Sequence, residues 1–188
     1  MLRFEIKQHS IAIIPNAKTF RFGREEKLLS LYRAAINGMM DRGYFVYLIF
    51  HSSEDKKICG KLKDLFSEEE RVVLIRDELS CIEYGQVVKQ FDFVIASRYH
   101  SIIHAYKEGV PCIVLGWAVK YAELLSLFEQ KKFVFDVRGD VDERKFLEMI
   151  TDMEKNYKRY VVQVKETLEE IQKENVFDVV EMEKWRKR

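Results

Sequence analysis

Short apolar runs recur along this chain, separated by longer stretches whose apolar residues fall at three- and four-residue steps. The first run, residues 10–15, is stopped by Pro15 and predicts a strand. Residues 24–42 put Leu28, Leu31, Tyr32, Ala35, Ile36 and Met39 on one helical face and end at Gly43, a residue suited to the left-handed turn that closes a helix. Residues 44–50 scarcely alternate, which marks a strand covered on both faces. The same reasoning predicts helices over 54–66, 82–90, 98–108 and 120–128, and strands over 72–75, 91–96, 112–115 and 133–137. Strands alternating with helices pair in parallel through right-handed crossovers. The expected fold class is therefore α/β, a Rossmann-like doubly wound parallel sheet. Strand order is not written in the periodicity.

Beyond Gly139 the composition shifts to Glu, Lys and large apolar residues. Residues 142–171 contain no Gly or Pro and predict one or two long C-terminal helices. Phe146, Ile150, Met153, Tyr157 and Val161 form the stripe expected to pack across the sheet. The expected organisation is one Rossmann-like domain over 1–188, with a helical extension from about 140 to 188. Lys184, Arg186, Lys187 and Arg188 surround Trp185 and predict a solvated tail, a peripheral membrane contact being the other reading.

Composition narrows the function classes. With 32 Lys and Arg against 31 Asp and Glu, the net charge is +1, so no global field draws the chain to nucleic acid. No apolar run is long enough to span a bilayer, and the first residues lack a signal-peptide core. Cys59, Cys81 and Cys112 are scattered without a CxxC pair, which predicts reduced thiols and a cytoplasmic protein, with a peripheral place at the inner membrane face as the variant. No close set of four N or S ligands and no carboxylate cluster points to a metal.

Open parallel sheets bind ligands beyond the carboxyl ends of their strands. That rule selects four loops. Residues 16–24 carry Lys18, Arg21 and Arg24 as a basic loop, and residues 51–53 begin with His51. After the fourth strand, Ser97 is the expected helix cap, leaving free N–H groups toward an anion. Arg98 can grip a carboxylate or phosphate with two parallel bonds, and His100 can carry a proton near neutral pH. The fourth loop offers Gly116 for a tight turn or close ligand approach, Trp117 as a pocket wall and Lys120 as a second cation. Each residue has a plainer role too. Arg98 can pair with a neighbouring acid, His100 with a carbonyl; Trp117 can be core, and Lys18, His51 and Lys120 solvated. His104, one turn after His100, reads better as a boundary histidine than as a metal ligand.

The run Ser97-Arg98-Tyr99-His100-Ser101-Ile102-Ile103, then Gly109-Val110-Pro111, then Gly116-Trp117 and Lys120-Tyr121, resembles the carboxyl-terminal half of the polysaccharide pyruvyl transferase family. The resemblance spans roughly residues 11–128. It implies a domain like the C-terminal domain of a GT-B fold, and transfer of a pyruvyl group from phosphoenolpyruvate to a sugar as a ketal. On that analogy Arg98 and His100 match positions that hold phosphoenolpyruvate and are the expected catalytic pair; Ser97, Gly116, Trp117, Lys120, Lys18 and His51, from the four loops, complete the expected substrate site. The implied partners are phosphoenolpyruvate and a glycan or a lipid- or nucleotide-linked sugar acceptor, with no redox cofactor. A separate amino-terminal domain or a homo-oligomer would supply the facing wall of the cleft. Ala118 and Val119 stand where many relatives carry Ser and then His or another polar residue, and Phe50 where a proline often precedes the histidine. Two other readings remain open. One is a GT-B-type nucleotide-sugar glycosyltransferase domain, which asks for a ribose-binding carboxylate. The other is a non-catalytic anion-binding module without its partner domain.

Overall fold

A computed structural model describes residues 4–173; the predicted basic tail around Trp185 lies outside the described residues. Six strands, all parallel, form one sheet: β1 (Ser10–Ile14), β2 (Phe45–Leu48), β3 (Val72–Leu74), β4 (Val94–Ala96), β5 (Cys112–Gly116) and β6 (Val134–Asp136). Their order is β3-β2-β1-β4-β5-β6. The chain thus builds outward from β1 to one edge, crosses back, and continues from β4 to the other. Loops diverge at that reversal, between the ends of β1 and β4, where open parallel sheets bind their ligands. β1 and β5 are buried at every position, as expected of strands covered on both faces.

Helices α1 (Ala17–Phe22), α2 (Glu25–Asp41), α3 (Ser53–Asp64), α4 (Cys81–Val88), α5 (Tyr99–Lys107) and α6 (Val119–Leu127) make the crossovers. The amphipathic face predicted for α2 is the one it buries, and its end is turned by Gly43 at φ +83°. α1 was not legible: its six residues sit where a basic loop was expected. The buried Asn16 starts it, its side-chain oxygen accepting the Lys18 N–H at 2.9 Å.

The C-terminal stretch is a single helix through the described residues, α7 (Glu143–Lys173). It packs on α2, α5 and β5. Phe146, Ile150 and Met153 are buried as predicted, but its second half buries Tyr160 and Val164, with Tyr157 only half-buried. Strict three- and four-residue spacing drifts around a helix of this length, so the buried stripe shifts by a few positions.

Candidate functional site

β1 and β4 pair with Ile14 beside Ala96, so the chain leaves both strands side by side at residues 15–16 and 97–98. Four buried groups meet there. Ser97 Oγ lies 2.8 Å from the Tyr32 hydroxyl, which reaches in from α2. The Ser97 carbonyl accepts from the Tyr121 hydroxyl of α6 at 3.2 Å and from Asn16 Nδ2 at 3.4 Å. Burial pushes both phenols far above the usual tyrosine range, so they stay neutral. Ser97 is therefore not the cap of α5. It is wholly buried, and its hydroxyl ties α2 to β4 instead of facing a ligand.

The next residue, Arg98, occupies the position before α5, and no side chain caps that helix. Its guanidinium points sideways to α3: Nε donates to Asp55 Oδ2 at 2.7 Å, and one terminal nitrogen donates to Asp55 Oδ1 at 2.9 Å and Ser52 Oγ at 2.5 Å. Asp55 is fully buried and also accepts the Ala17 N–H at 2.8 Å. The parallel pair of bonds expected toward a ligand is thus made with a protein carboxylate. The guanidinium keeps only its far terminal nitrogen without a partner among the described residues. Asp55 escaped the sequence reading because Glu54 and Asp55 in a helical first turn look like solvated dipole partners.

The rim around this knot is open. His100, Lys120, Lys18 and His51 are all exposed. The Lys120 ammonium sits 4.5 Å from the Tyr99 ring centroid, a cation–π contact that holds the charge beside the start of α5. Trp117 is half-buried between Phe22, stacked at 5.7 Å, and Tyr121 at 5.1 Å. Phe22 itself is 52% exposed, so α1 extends an aromatic shelf that sequence reasoning missed. Gly116 has a different use from the one expected: a Cβ there would lie 2.7 Å from Tyr121 Cγ, so the glycine admits the tyrosine rather than a ligand. Arg21 of α1 is 3.8 Å from Glu54 and leaves Lys18 as the more available cation of that segment.

Beside Arg98, a cavity of about 590 Å³ opens between the start of α3, the loop before α4, and α5. His51, His100, His104 and Cys81 line it, and the buried Tyr84 contacts His51 and His104 with its ring. His51 keeps solvent contact, yet the surrounding protein and the Arg98 cation hold its imidazole below the ordinary histidine range. Partial burial, then Lys107, does the same to His104. Among the described residues no group of three His, Cys, Asp or Glu side chains is placed to hold a metal ion.

Helix starts add to the field. α4 is closed by a complete capping box from Ser80 and Glu83. By contrast α3, α5 and α6 have no side-chain cap, so the free N–H groups of their first turns remain available to an anion at the same sheet edge. Two uncapped helix starts, a guanidinium edge, an ammonium and an imidazole thus belong to the starts of α5 and α6. That arrangement can hold a dianion and deliver a proton.

The sequence model of the family described as polysaccharide pyruvyl transferase matches residues 8–118, more than half of the chain. The amylovoran biosynthesis protein AmsJ of Erwinia amylovora is 22% identical over 114 residues, which is 57% of this chain and 28% of that protein. Among solved structures, the UDP-GlcNAc 2-epimerase of Methanocaldococcus jannaschii superposes with a TM-score of 0.60 at 12% identity, over 79% of this chain and 39% of that one. The glycosyltransferase SnogD of Streptomyces nogalater gives 0.54 at 16% identity, over 89% and 41%. The chain therefore spans well under half the length of these relatives. The solved structures share its Rossmann-like, GT-B-type domain fold. No described helix is long and apolar enough to cross a membrane.

Proposed function

This chain belongs to the polysaccharide pyruvyl transferase family, and on that premise we propose that it carries the phosphoenolpyruvate-binding face of a transferase that builds pyruvate ketals on a polysaccharide sugar. What supports the proposal is that the exposed His100 and Lys120 and the uncapped starts of α5 and α6 follow the carboxyl ends of β4 and β5, next to the reversal of strand order. Phosphoenolpyruvate is a compact polyanion, and such a sheet edge offers it cations and N–H donors. The acceptor is a sugar of a surface polysaccharide or its lipid- or nucleotide-linked precursor, in keeping with the polysaccharide pathway named for the Erwinia relative. A facing domain completes the cleft and is required for turnover.

In this mechanism a proton is added to the methylene carbon of the enol, and the adjacent carbon becomes an oxocarbenium-like centre. A sugar hydroxyl attacks that carbon and loses its proton. The carbon–oxygen bond to phosphate then breaks, and phosphate leaves with the bonding pair. A second sugar hydroxyl closes the ketal. His100 supplies the first proton or polarises the phosphate; Lys120 and the free edge of Arg98 balance charge on the departing phosphate. Asp55 keeps that edge in place rather than touching substrate.

Calorimetric titration of phosphoenolpyruvate into this chain tests the reading, with His100→Ala and Lys120→Ala as the variants. Arg98→Ala is a poor control, because it strands the buried Asp55 carboxylate. Binding that either variant weakens by about tenfold or more supports the donor site. A folded chain that ignores phosphoenolpyruvate but binds UDP or a UDP-sugar moves the assignment to a nucleotide-sugar glycosyltransferase. Asp55, at the start of α3, is already committed to Arg98 and does not offer its carboxylate to a ribose, which weighs against that second reading.

A further inference from the structure

The cavity beside Arg98 holds a nucleophile that the transfer reaction does not use. Cys81 is exposed as the first residue of α4, and its Sγ lies 3.7 Å from His104 Nε2, within hydrogen-bonding range for sulfur. His104 belongs to α5, so two different helices bring thiol and imidazole together across the mouth of a space of about 590 Å³. The other two cysteines stand in sharp contrast. Cys59 and Cys112 are buried, and burial pushes both thiols well above the ordinary range, which makes them inert.

We propose that Cys81 and His104 form a thiol–imidazole pair that makes Cys81 a site of thiol–disulfide exchange with low-molecular-weight disulfides. The imidazole nitrogen takes the thiol proton as sulfur attacks. One S–S bond forms between Cys81 and the incoming sulfur, and the S–S bond of the small disulfide breaks. The second sulfur leaves as a thiolate with the bonding pair: the small disulfide is the oxidant, Cys81 sulfur being oxidised as the departing sulfur is reduced. Partial burial keeps His104 neutral near pH 7, the state in which it can accept the proton. The cavity gives the attached group room, and it would sit beside His100, one helical turn before His104. The adduct and a ligand reaching His100 from this side exclude each other. This inference does not depend on which substrate the sheet edge takes.

The experiment uses the whole chain and glutathione disulfide, with intact-mass readout and peptide mapping of the modified cysteine. One thiol per folded chain should react, map to Cys81, and do so at least about tenfold faster than the same thiols in the urea-unfolded chain. Cys81→Ser should remove that fast reaction. His104→Gln and His104→Asn should each slow it by about tenfold or more while circular dichroism stays unchanged. No rate advantage in the folded chain, a fast reaction surviving in Cys81→Ser, or a rate indifferent to both His104 variants overturns the proposal.

Discussion

Two polar clusters meet at the ends of β1 and β4, and they are built on opposite principles. The inner one, made by Asp55, Arg98, Ser52, Ser97, Tyr32, Tyr121 and Asn16, is mostly buried and internally bonded. Its partners lie far apart in sequence, 65 residues for Tyr32 with Ser97 and 43 for Arg98 with Asp55. The outer one, made by His100, Lys120, Lys18 and His51, is exposed and carries no ion pair among the described residues. The inner cluster fixes where the helices start; the outer cluster is left free to meet something else. Residues of similar chemistry thus divide into scaffold and binding surface according to burial, which the sequence does not display.

The sharpest way to break this division is Asp55→Ala. It leaves the Arg98 charge without its partner in a mostly buried place and should cost about 3–5 kcal/mol in urea unfolding, the range for breaking a buried ion pair. A loss below about 1 kcal/mol would move the pair to the surface class. Gly116→Ala comes next: the new methyl meets the Tyr121 ring at 2.7 Å, and overpacking of that kind should cost about 1–3 kcal/mol. Tyr32→Phe removes the hydroxyl facing Ser97 Oγ and should cost about 1–2 kcal/mol, read by the same titration. His100→Ala and Lys120→Ala belong to the outer cluster and should change stability by no more than about 0.5 kcal/mol. A large loss there would make the rim structural as well.

Acid provides a gentler probe. His51 and His104 are held below the ordinary histidine range, so the unfolded chain takes up their protons first as pH falls. Stability should therefore decline as pH drops from about 6.5 toward the lower folded values, and the paired substitution His51→Gln with His104→Gln should flatten that decline in thermal unfolding. Asp92 works in the opposite sense at lower pH. Burial raises its carboxyl above 3.8, so folding is favoured by its protonation there and that favour is lost as pH rises through the raised value.

The strands were legible because buried parallel strands are short, nearly unbroken apolar runs, and residues 44–50, 91–96 and 112–115 have little else in them. Helix ends were legible where Gly43 and Gly109 supply positive φ, at +83° and +76°. α1 was not, because six residues give too little periodicity to separate a helix from a basic loop. Strand order was not, because crossovers and not local pattern decide which strands are neighbours. At the site, sequence selected loops that the sheet brings to one edge but took Ser97 for a cap and did not see the acid that Arg98 pairs with. Both points turn on a partner outside the local window, Tyr32 and Asp55, and only the folded sheet brings those partners near.

α7 has a consequence for how the molecule comes into being on the ribosome. Its residues grip a helix made more than a hundred positions earlier, as when Arg42 donates to the Thr151 hydroxyl at 3.1 Å across 109 residues. It also lies on α5 and β5, so it fastens elements from both sides of the sheet reversal. The apolar face of α2 therefore waits, partly uncovered, through synthesis of nearly everything that follows. Contacts of such long sequence separation slow folding and prolong that exposure. Until the late helix emerges, the early one lacks the cover that α7 gives it.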